Sequence, residues 1–452
     1  MPGLGKAPLW QVLIIKALVI LCYVNLAYFV SREDFGLLLT HYFIVFAGFL
    51  YFLNRAAFSF GFLAFMGLVF RLLFIASTPE LSNDYYRFIW DGRLLLEGFN
   101  PYLSYPLDFL QGTQAEVIDQ GAQLADGMGN LNASHYTVYP PLNQLCFFLA
   151  ALVGSKSIMA SVVVLRLIMI SADIGIWWIG RKLLRHLDIS ERCIYFYLLN
   201  PFVILEFTGN LHFEGLMVFF LLWAVYLLLT QKWIQSAVVL GLSVSVKLIP
   251  LIFLPLLFKK LGFKKAVSYY LFTGLTVLIL FTPFLSQALI ANFFSSIELY
   301  FQNFEFNASI YYIVRAIGYE VTGYNIIQTA GRILPLITLA GILTLSFFRK
   351  NQGSRTLVAS MLWAVTIYYG LSTTVHPWYI AVPLALSVLS GYRFPVVWSG
   401  LVILSYGAYS QAGFQENLWL VSLEYAVVFG FMIYELWKGV SPPLHLKSTA
   451  RA

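Results

Sequence analysis

Apolar positions in this chain come in long blocks, with neither the strict alternation of a half-buried strand nor the one-sided stripe of a soluble helix. Blocks able to cross a hydrocarbon layer of about 30 Å fall near 9–30, 36–53, 57–77, 158–180, 193–208, 212–230, 266–284, 327–348, 356–373, 377–391, 394–412 and 417–437. They predict an all-α polytopic membrane protein with about 12–13 transmembrane helices. The first block, within MPGLGKAPLWQVLIIKALVILCYV, is too long for a signal-peptide core and has no small-residue cleavage site after it, so it reads as a retained span. Two further apolar pieces, 140–154 and 234–258, break a simple alternation.

Basic residues assign the sides. Arg181, Lys182, Arg185 and Arg192 form one cluster and Lys259, Lys260, Lys264 and Lys265 a second; Arg349, Lys350 and Arg355 form a third, and Lys438, Lys447 and Arg451 a tail. The positive-inside rule puts all four in the cytoplasm. The stretch 78–139 carries eight Asp and Glu against Arg87 and Arg93 and belongs outside. With these sides fixed, 139–181 must cross once although Gly154-Ser155-Lys156-Ser157 splits it into two apolar pieces, so one piece is short and re-entrant. By the same parity 234–258, interrupted by Lys247 and Pro250, enters and returns as two half-helices. Non-helical backbone is tolerated at that depth only where protein or water surrounds it, so Lys247 marks a polar cavity. A single tilted span with a snorkelling lysine is the other reading. The organisation expected is N-terminal spans over 1–77, an outer loop over 78–139, a bundle over 140–437 and a cytoplasmic tail over 438–452.

Composition agrees with a membrane protein. Of 452 residues 60% are hydrophobic and 11% charged, against about 25% charged in soluble domains. This excludes a soluble enzyme, a disordered chain and a secreted disulfide scaffold; Cys22, Cys146 and Cys193 lie in or beside apolar runs and read as packing residues. The net charge of +7 reads as orientation and not as nucleic-acid binding.

The outer loop is too long for a plain connector. Its first part reads as a juxtamembrane helix, with Asn83 as cap, Asp84 in the first turn, Gly98 and Pro101 as the stop, and Phe88, Trp90 and Leu94 to Leu96 at the interface. The part over 112–133 is polar and glycine-containing and reads as a lid or plain loop. Polar groups recur on the outer face in four places: Asp84, Arg87, Asp91 and Arg93; Asn210, His212 and Glu214; Lys247; and Thr374, His376, Trp378 and Tyr379. Converging on one cavity, they would supply an acid, a base and cations. Asp84 suits a general base that takes a proton from an attacking hydroxyl; a helix-dipole partner or an ion pair with Arg87 is the competing role. Lys247 with Arg87 or Arg93 suits a phosphate. For His376 a satisfied hydrogen-bonding role competes with catalysis. No HExxH, CxxC or DxD spacing signals a metal, so no metal ligands are assigned, and the absence of a Gly-rich phosphate loop fits chemistry without a nucleotide or other cofactor. Sequons stand at Asn132 and Asn307.

In order, the chain shows Asp84 to Tyr102 with its Gly-Arg and Asn-Pro-Tyr, Tyr139-Pro-Pro-Leu142, Leu199-Asn-Pro-Phe202, Gly209-Asn210, Val246-Lys-Leu-Ile-Pro250 and His376-Pro-Trp-Tyr379. This order resembles the GT-C class of integral-membrane glycosyltransferases that use polyprenyl-phosphate sugars. It is similar in particular to bacterial mannosyltransferases of glycosyltransferase family 87 and to the catalytic subunit of the first glycosylphosphatidylinositol mannosyltransferase. The resemblance covers Arg71 to Tyr379. It implies a GT-C-like bundle in a bacterial inner membrane, working on the periplasmic face by an inverting displacement. Mannose would move from a polyprenyl-phosphate donor to a lipid or glycan acceptor. It implies Asp84 as catalytic base, Lys247 as a phosphate contact and His376 as a further active-site residue, with Arg87, Arg93, Asn210, His212, Glu214, Tyr139, Trp378 and Tyr379 around the substrates. Relatives with a paired acidic motif differ from Asn83-Asp84-Tyr85-Tyr86 here, which leaves a divalent metal open. A flippase for a lipid-linked sugar is the rival reading. It also wants a charged mid-membrane cavity, but it has little use for an acidic outer loop of sixty residues.

Overall fold

The computed structural model describes residues 8–439 except 56, 113, 114 and 303, so most of the expected tail, with Lys447 and Arg451, lies outside the described residues. The chain is helical throughout apart from one small hairpin, Tyr409–Ser410 paired antiparallel with Gly413–Phe414. Six helices are long and apolar enough to cross a bilayer: α1 (Leu9–Tyr28), α2 (Phe35–Asn54), α7 (Ile158–His186), and the segments Phe263–Phe284, Ile327–Phe348 and Leu418–Lys438. A seventh candidate is bent by 114° between Pro201–Gly209 and Glu214–Leu229. The sequence predicts about twelve full spans, and the difference lies in five shorter apolar helices: Phe60–Leu72, Pro141–Gly154, Trp233–Val244, Pro377–Ser390 and Phe394–Ala408. Proline accounts for much of this. Pro141, Pro201, Pro250, Pro377 and Pro395 each sit in the first turn of a segment, where their missing N–H costs nothing but no helix can run in from before them.

The segment around Lys247 enters the bundle and returns. Helix α9 (Trp233–Val244) stops short of Lys247, and a 3₁₀ run over Ile249–Leu257 leads back. Twelve α-helical and nine 3₁₀ residues each cover about 18 Å, well under the thickness of the hydrocarbon. Both limbs start from the same end of the bundle. Lys182 lies 5.9 Å from the Tyr226 ring, close to the C-terminus of α8 (Glu214–Leu229), which leads into α9. Lys259 Nζ donates to the carbonyls of Phe347 (2.5 Å) and Arg349 (3.3 Å), Lys260 to Gln352 at 2.7 Å, and Arg355 to Leu187 at 2.5 Å. Three of the basic clusters therefore gather at one end, and Lys247 sits roughly 18 Å away from it. Helix α6 (Pro141–Gly154) starts beside Lys247: Leu142 N donates to Ser245 O (3.1 Å) and Asn143 Nδ2 to Val246 O (2.7 Å).

The juxtamembrane helix is α4 (Asp84–Leu96), following α3 (Phe60–Leu72). Its start is held by Ser82 Oγ, which accepts from Asp84 N at 3.2 Å, and not by an Asn83 side-chain cap. Gly98 ends it at φ +81°. Phe88, Trp90 and Leu94 are fully buried instead of lying at a membrane interface. What covers them is α6 on one side and, on the other, α5 (Gly121–Ala133), a helix where a lid or plain loop is expected. A Cβ at Gly92 would run into the Phe147 carbonyl, so the glycine is what lets α4 and α6 touch backbone to backbone.

Two arginines hold the centre. Arg166, fully buried in α7, donates to the carbonyls of Thr208 (2.9 Å), Gly209 (2.9 Å), Ser77 (2.5 Å) and Ile75 (3.2 Å). It thereby ties the break before α8 to the root of the outer loop. Seven residues along, Asp173 accepts from Arg71 Nε at 2.6 Å, while Arg71 Nη1 donates to the Gly67 and Leu198 carbonyls. Between residues 204 and 214 the backbone makes a π turn, Ile204–Gly209, then places Leu211 at φ +64°, a strained position for a branched side chain.

Replacing Arg166 by leucine strips four buried carbonyls of a charged donor. We expect a loss of at least about 3 kcal/mol, seen as a collapse in folded yield in detergent and a lowered melting temperature, with lysine intermediate. A leucine variant melting within about 2 °C of wild type would contradict this role.

Candidate active site

The break before α8 and the turn at Lys247 face each other. Lys247 Nζ lies 2.9 Å from Glu214 Oε1, the first residue of α8, with Glu214 fully buried and Lys247 partly open. The Lys247 ammonium also stands 5.5 Å from the Tyr139 ring centre. Tyr139 is fixed from behind, its carbonyl accepting from Tyr102 Oη at 2.6 Å. The Asn-Pro-Tyr and Tyr-Pro-Pro motifs thus brace one another and lean on Lys247.

Asp84 stands close to this pair, half-buried at the start of α4. Its Oδ1 accepts from Asn132 Nδ2 at 3.3 Å, and the Tyr139 side chain hydrogen-bonds to it. Burial pushes its carboxyl above the usual range, opposed by the charges of Lys247 and Arg32 and by these two hydrogen bonds. Asn132 is delivered by Arg87, whose Nη1 donates to the carbonyls of Asn132 (2.9 Å) and His135 (2.8 Å) while its Nε meets Asp91 at 2.8 Å. Asp91 in turn accepts from Gln144 Nε2 at 2.9 Å. Arg93 holds the Asp119 carbonyl and Gln120 Oε1. Asn210 accepts from Leu81 N (3.1 Å) and donates to Leu205 O (3.0 Å). The hydrogen bonds that Arg87, Arg93 and Asn210 make go to protein groups and brace the loop, while Arg87 Nη2 and Arg93 Nε have no partner among the described residues.

The opposite wall is a stack of rings. His212 lies on Trp378 with centroids 3.6 Å apart, Trp378 on His376 at 4.5 Å, and His376 on Phe306 at 5.1 Å. Both faces of Trp378 are therefore taken by rings, which leaves its edge. Tyr379 meets the His376 ring edge-on at 5.4 Å and stacks on Tyr369 at 5.7 Å. Burial, then the neighbouring charge of Lys247, hold the His376 imidazole down to about 3, so it is neutral across the physiological range and offers hydrogen bonds instead of charge. Its Nδ1 has no hydrogen-bond partner among the described residues.

The structure thus brings Asp84, Tyr139, His212, Glu214, Lys247, His376 and Trp378 into one cluster. Sequence reasoning missed Asn132, Phe306, Arg32 and Tyr409. The Arg32 guanidinium lies 4.8 Å from the Tyr409 ring centre, and Tyr409 packs against Phe306 at 6.3 Å. Asn132 is flagged only as a sequon, and no motif flags Arg32, Phe306 or Tyr409, which come from segments far apart in the chain. Neither sequon is presented for modification: Asn132 serves Asp84, and the fully buried Asn307 donates to Glu424. Among the described residues no three His, Cys, Asp or Glu side chains gather as a metal site.

Residues 35–261, about half of the chain, match a family described as alpha-(1->6)-mannopyranosyltransferase, N-terminal domain. The chain is similar to alpha-(1->6)-mannopyranosyltransferase A of Mycobacterium tuberculosis, 21% identical over 333 residues, covering 69% of this chain and 62% of that relative. It is also similar to the protein of the same name in Corynebacterium glutamicum, 24% identical over 202 residues, or 42% of this chain and 38% of the relative. The matched part spans less than two thirds of either relative's length.

The raised Asp84 carboxyl titrates above the ordinary aspartate value of about 3.9, so its base form is lost at a higher pH than for an exposed aspartate. Removing Lys247 as glutamine takes away the largest opposing charge and moves the midpoint up again. Difference infrared titration of the carboxyl band, assigned with Asp84→Asn, checks both shifts; a midpoint at or below about 4, or one insensitive to Lys247, contradicts them.

Proposed function

The chain belongs to the alpha-(1->6)-mannopyranosyltransferase family, and on that premise we propose that it is an inverting membrane mannosyltransferase that takes mannose from a polyprenyl-phosphate donor. The observation that carries this reading is the half-buried Asp84 carboxylate sharing a cavity with the Lys247–Glu214 pair.

In this reading the lipid phosphate approaches Lys247, whose ammonium turns from Glu214 toward the incoming oxyanion. An acceptor hydroxyl near Asp84 loses its proton to the carboxylate as its oxygen forms a bond to the anomeric carbon. The bond from that carbon to the phosphate oxygen breaks, and the phosphate leaves with the electron pair, its charge met by the Lys247 ammonium. Inversion at a β-linked donor gives an α-linked product, in keeping with the relatives' names. His376 Nδ1 and the edge of Trp378 hydrogen-bond and flank the sugar. The basic end lies in the cytoplasm by the positive-inside rule and the cavity opens toward the periplasmic face of a bacterial inner membrane. The acceptor is a lipid or glycan ending in mannose.

Transfer from a radiolabelled polyprenyl-phosphate mannose, measured in nanodiscs over a panel of mannose-terminated acceptors, tests the reading. Asp84→Asn is expected to lower turnover by at least about 10²-fold with donor binding retained. Because a lone Lys247 deletion leaves Glu214 buried and unpaired, at a cost of about 3–5 kcal/mol, donor affinity is better tested with Lys247→Met and Glu214→Gln together, which should weaken it. Wild-type protein that binds the donor, never turns it over and moves it between leaflets would be a flippase.

A further inference from the structure

The two N-terminal helices have no part in the chemistry above, yet they bring one cation to the mouth of the cavity. Arg32 sits in the short turn between α1 and α2. Helix α2 docks on the segment before the hairpin, with Tyr42 Oη donating to Ser399 O at 2.5 Å and Phe35 packed against Gly407. This docking sets the turn against the hairpin and lays the Arg32 guanidinium on the Tyr409 ring at 4.8 Å. Among the described residues Arg32 closes no ion pair within 4.0 Å, although Glu80 and Asp84 both feel its charge. One face of the guanidinium is therefore occupied by an aromatic ring, and its N–H edge is left without a protein acceptor.

Such an arrangement is made for an oxyanion. A planar fork stacked on a ring has lost much of its freedom already and presents paired donors that match two phosphate oxygens. A half-buried arginine without a counter-charge also carries a desolvation cost that an arriving anion relieves. Its place along the wall says which substrate brings that anion. Tyr409 leads through Phe306 to His376, whereas Lys247 acts on the His212 and His376 end. Both cations act on Asp84, Arg32 from beside Tyr409 and Lys247 from beside Glu214 and Tyr139. With the donor phosphate at Lys247, the Arg32 end is where the acceptor must enter to bring its hydroxyl to Asp84.

We propose that Arg32 is an acceptor subsite that binds a phosphate group carried by the acceptor, selecting phosphorylated glycolipid over neutral glycan. The proposal rests on the transferase reading, and its test separates the two. The full chain in nanodiscs is given the same donor and two mannose-terminated acceptors, one a neutral alkyl glycoside and one the same glycan on an alkyl phosphodiester. In Arg32→Ala the ratio of kcat/KM for the phosphodiester over the neutral acceptor is expected to fall at least about tenfold, with Arg32→Lys falling less because it keeps the charge and loses the fork. An unchanged ratio overturns the proposal. So does an unchanged ratio accompanied by a raised donor KM, which would make Arg32 a contact of the donor phosphate. Decyl phosphate supplies a readout independent of turnover. The rise in melting temperature it gives wild type should shrink in Arg32→Ala, and an equal rise in both overturns the subsite. Absence of transfer in wild type with every acceptor would sink the transferase reading instead, with the decyl phosphate comparison still deciding whether Arg32 binds an oxyanion.

Discussion

Irregular backbone inside a membrane must have its carbonyls and amides satisfied by protein, because lipid offers no partner. Arg166 meets that constraint here. By spreading its guanidinium over four carbonyls from two separate segments, it allows the chain to abandon helix between residues 204 and 214, hold Leu211 in a strained conformation and turn by 114°. Without that turn Glu214 would not start a helix facing Lys247, and the outer loop would have no fixed root from which to present Asp84. The Asn210 side chain completes the same task from the other side by taking up the Leu81 amide. A buried charge is an expensive device for this purpose, and it is stable because every hydrogen bond it makes is charge-assisted.

Around the cavity the charged residues fall into two kinds. Arg71, Arg87, Arg93, Arg166 and Asp173 are consumed by backbone or by each other. Asp84, Lys247 and Arg32 keep some exposure and face open space. His376 is held neutral by burial and by the charge of Lys247, so it adds shape and hydrogen-bonding capacity without adding to the local positive charge.

The membrane class and the two short segments on either side of Lys247 were legible in the sequence, since long apolar blocks and basic clusters report directly on how a chain partitions in lipid. Asp84 and Glu214 were legible as charged residues at the edges of such blocks. The burial of Trp90 and Phe88 was not: an aromatic-rich amphipathic helix reads the same whether lipid or another helix covers it, and α5, which covers it, has a polar, glycine-rich sequence. Nor was the difference between Arg87 and Lys247 visible. Both are basic residues beside a candidate acid, and only the fold shows that one is buried and bonded to Asn132, His135 and Asp91 while the other stays partly open. Arg166 did carry a signal, a charge deep within an apolar block, and Arg32 carried none beyond its place between two spans.

The Lys247–Glu214 contact also determines how the cavity responds to ionic strength. At rest the pair is neutral as a unit and Glu214 is wholly shielded from water, so dissolved ions, which screen exposed charges over about 8–10 Å, gain little by entering. An anion that reaches Lys247 must displace a carboxylate already in place, which a headgroup with no further foothold in the cavity does poorly. On the proposed reading, a lipid phosphate held as well by its chain and its sugar does so with help from those contacts. The cation is thereby insulated from the crowd of anionic lipids around it, and the recognition of charge at this depth becomes nearly independent of the salt outside.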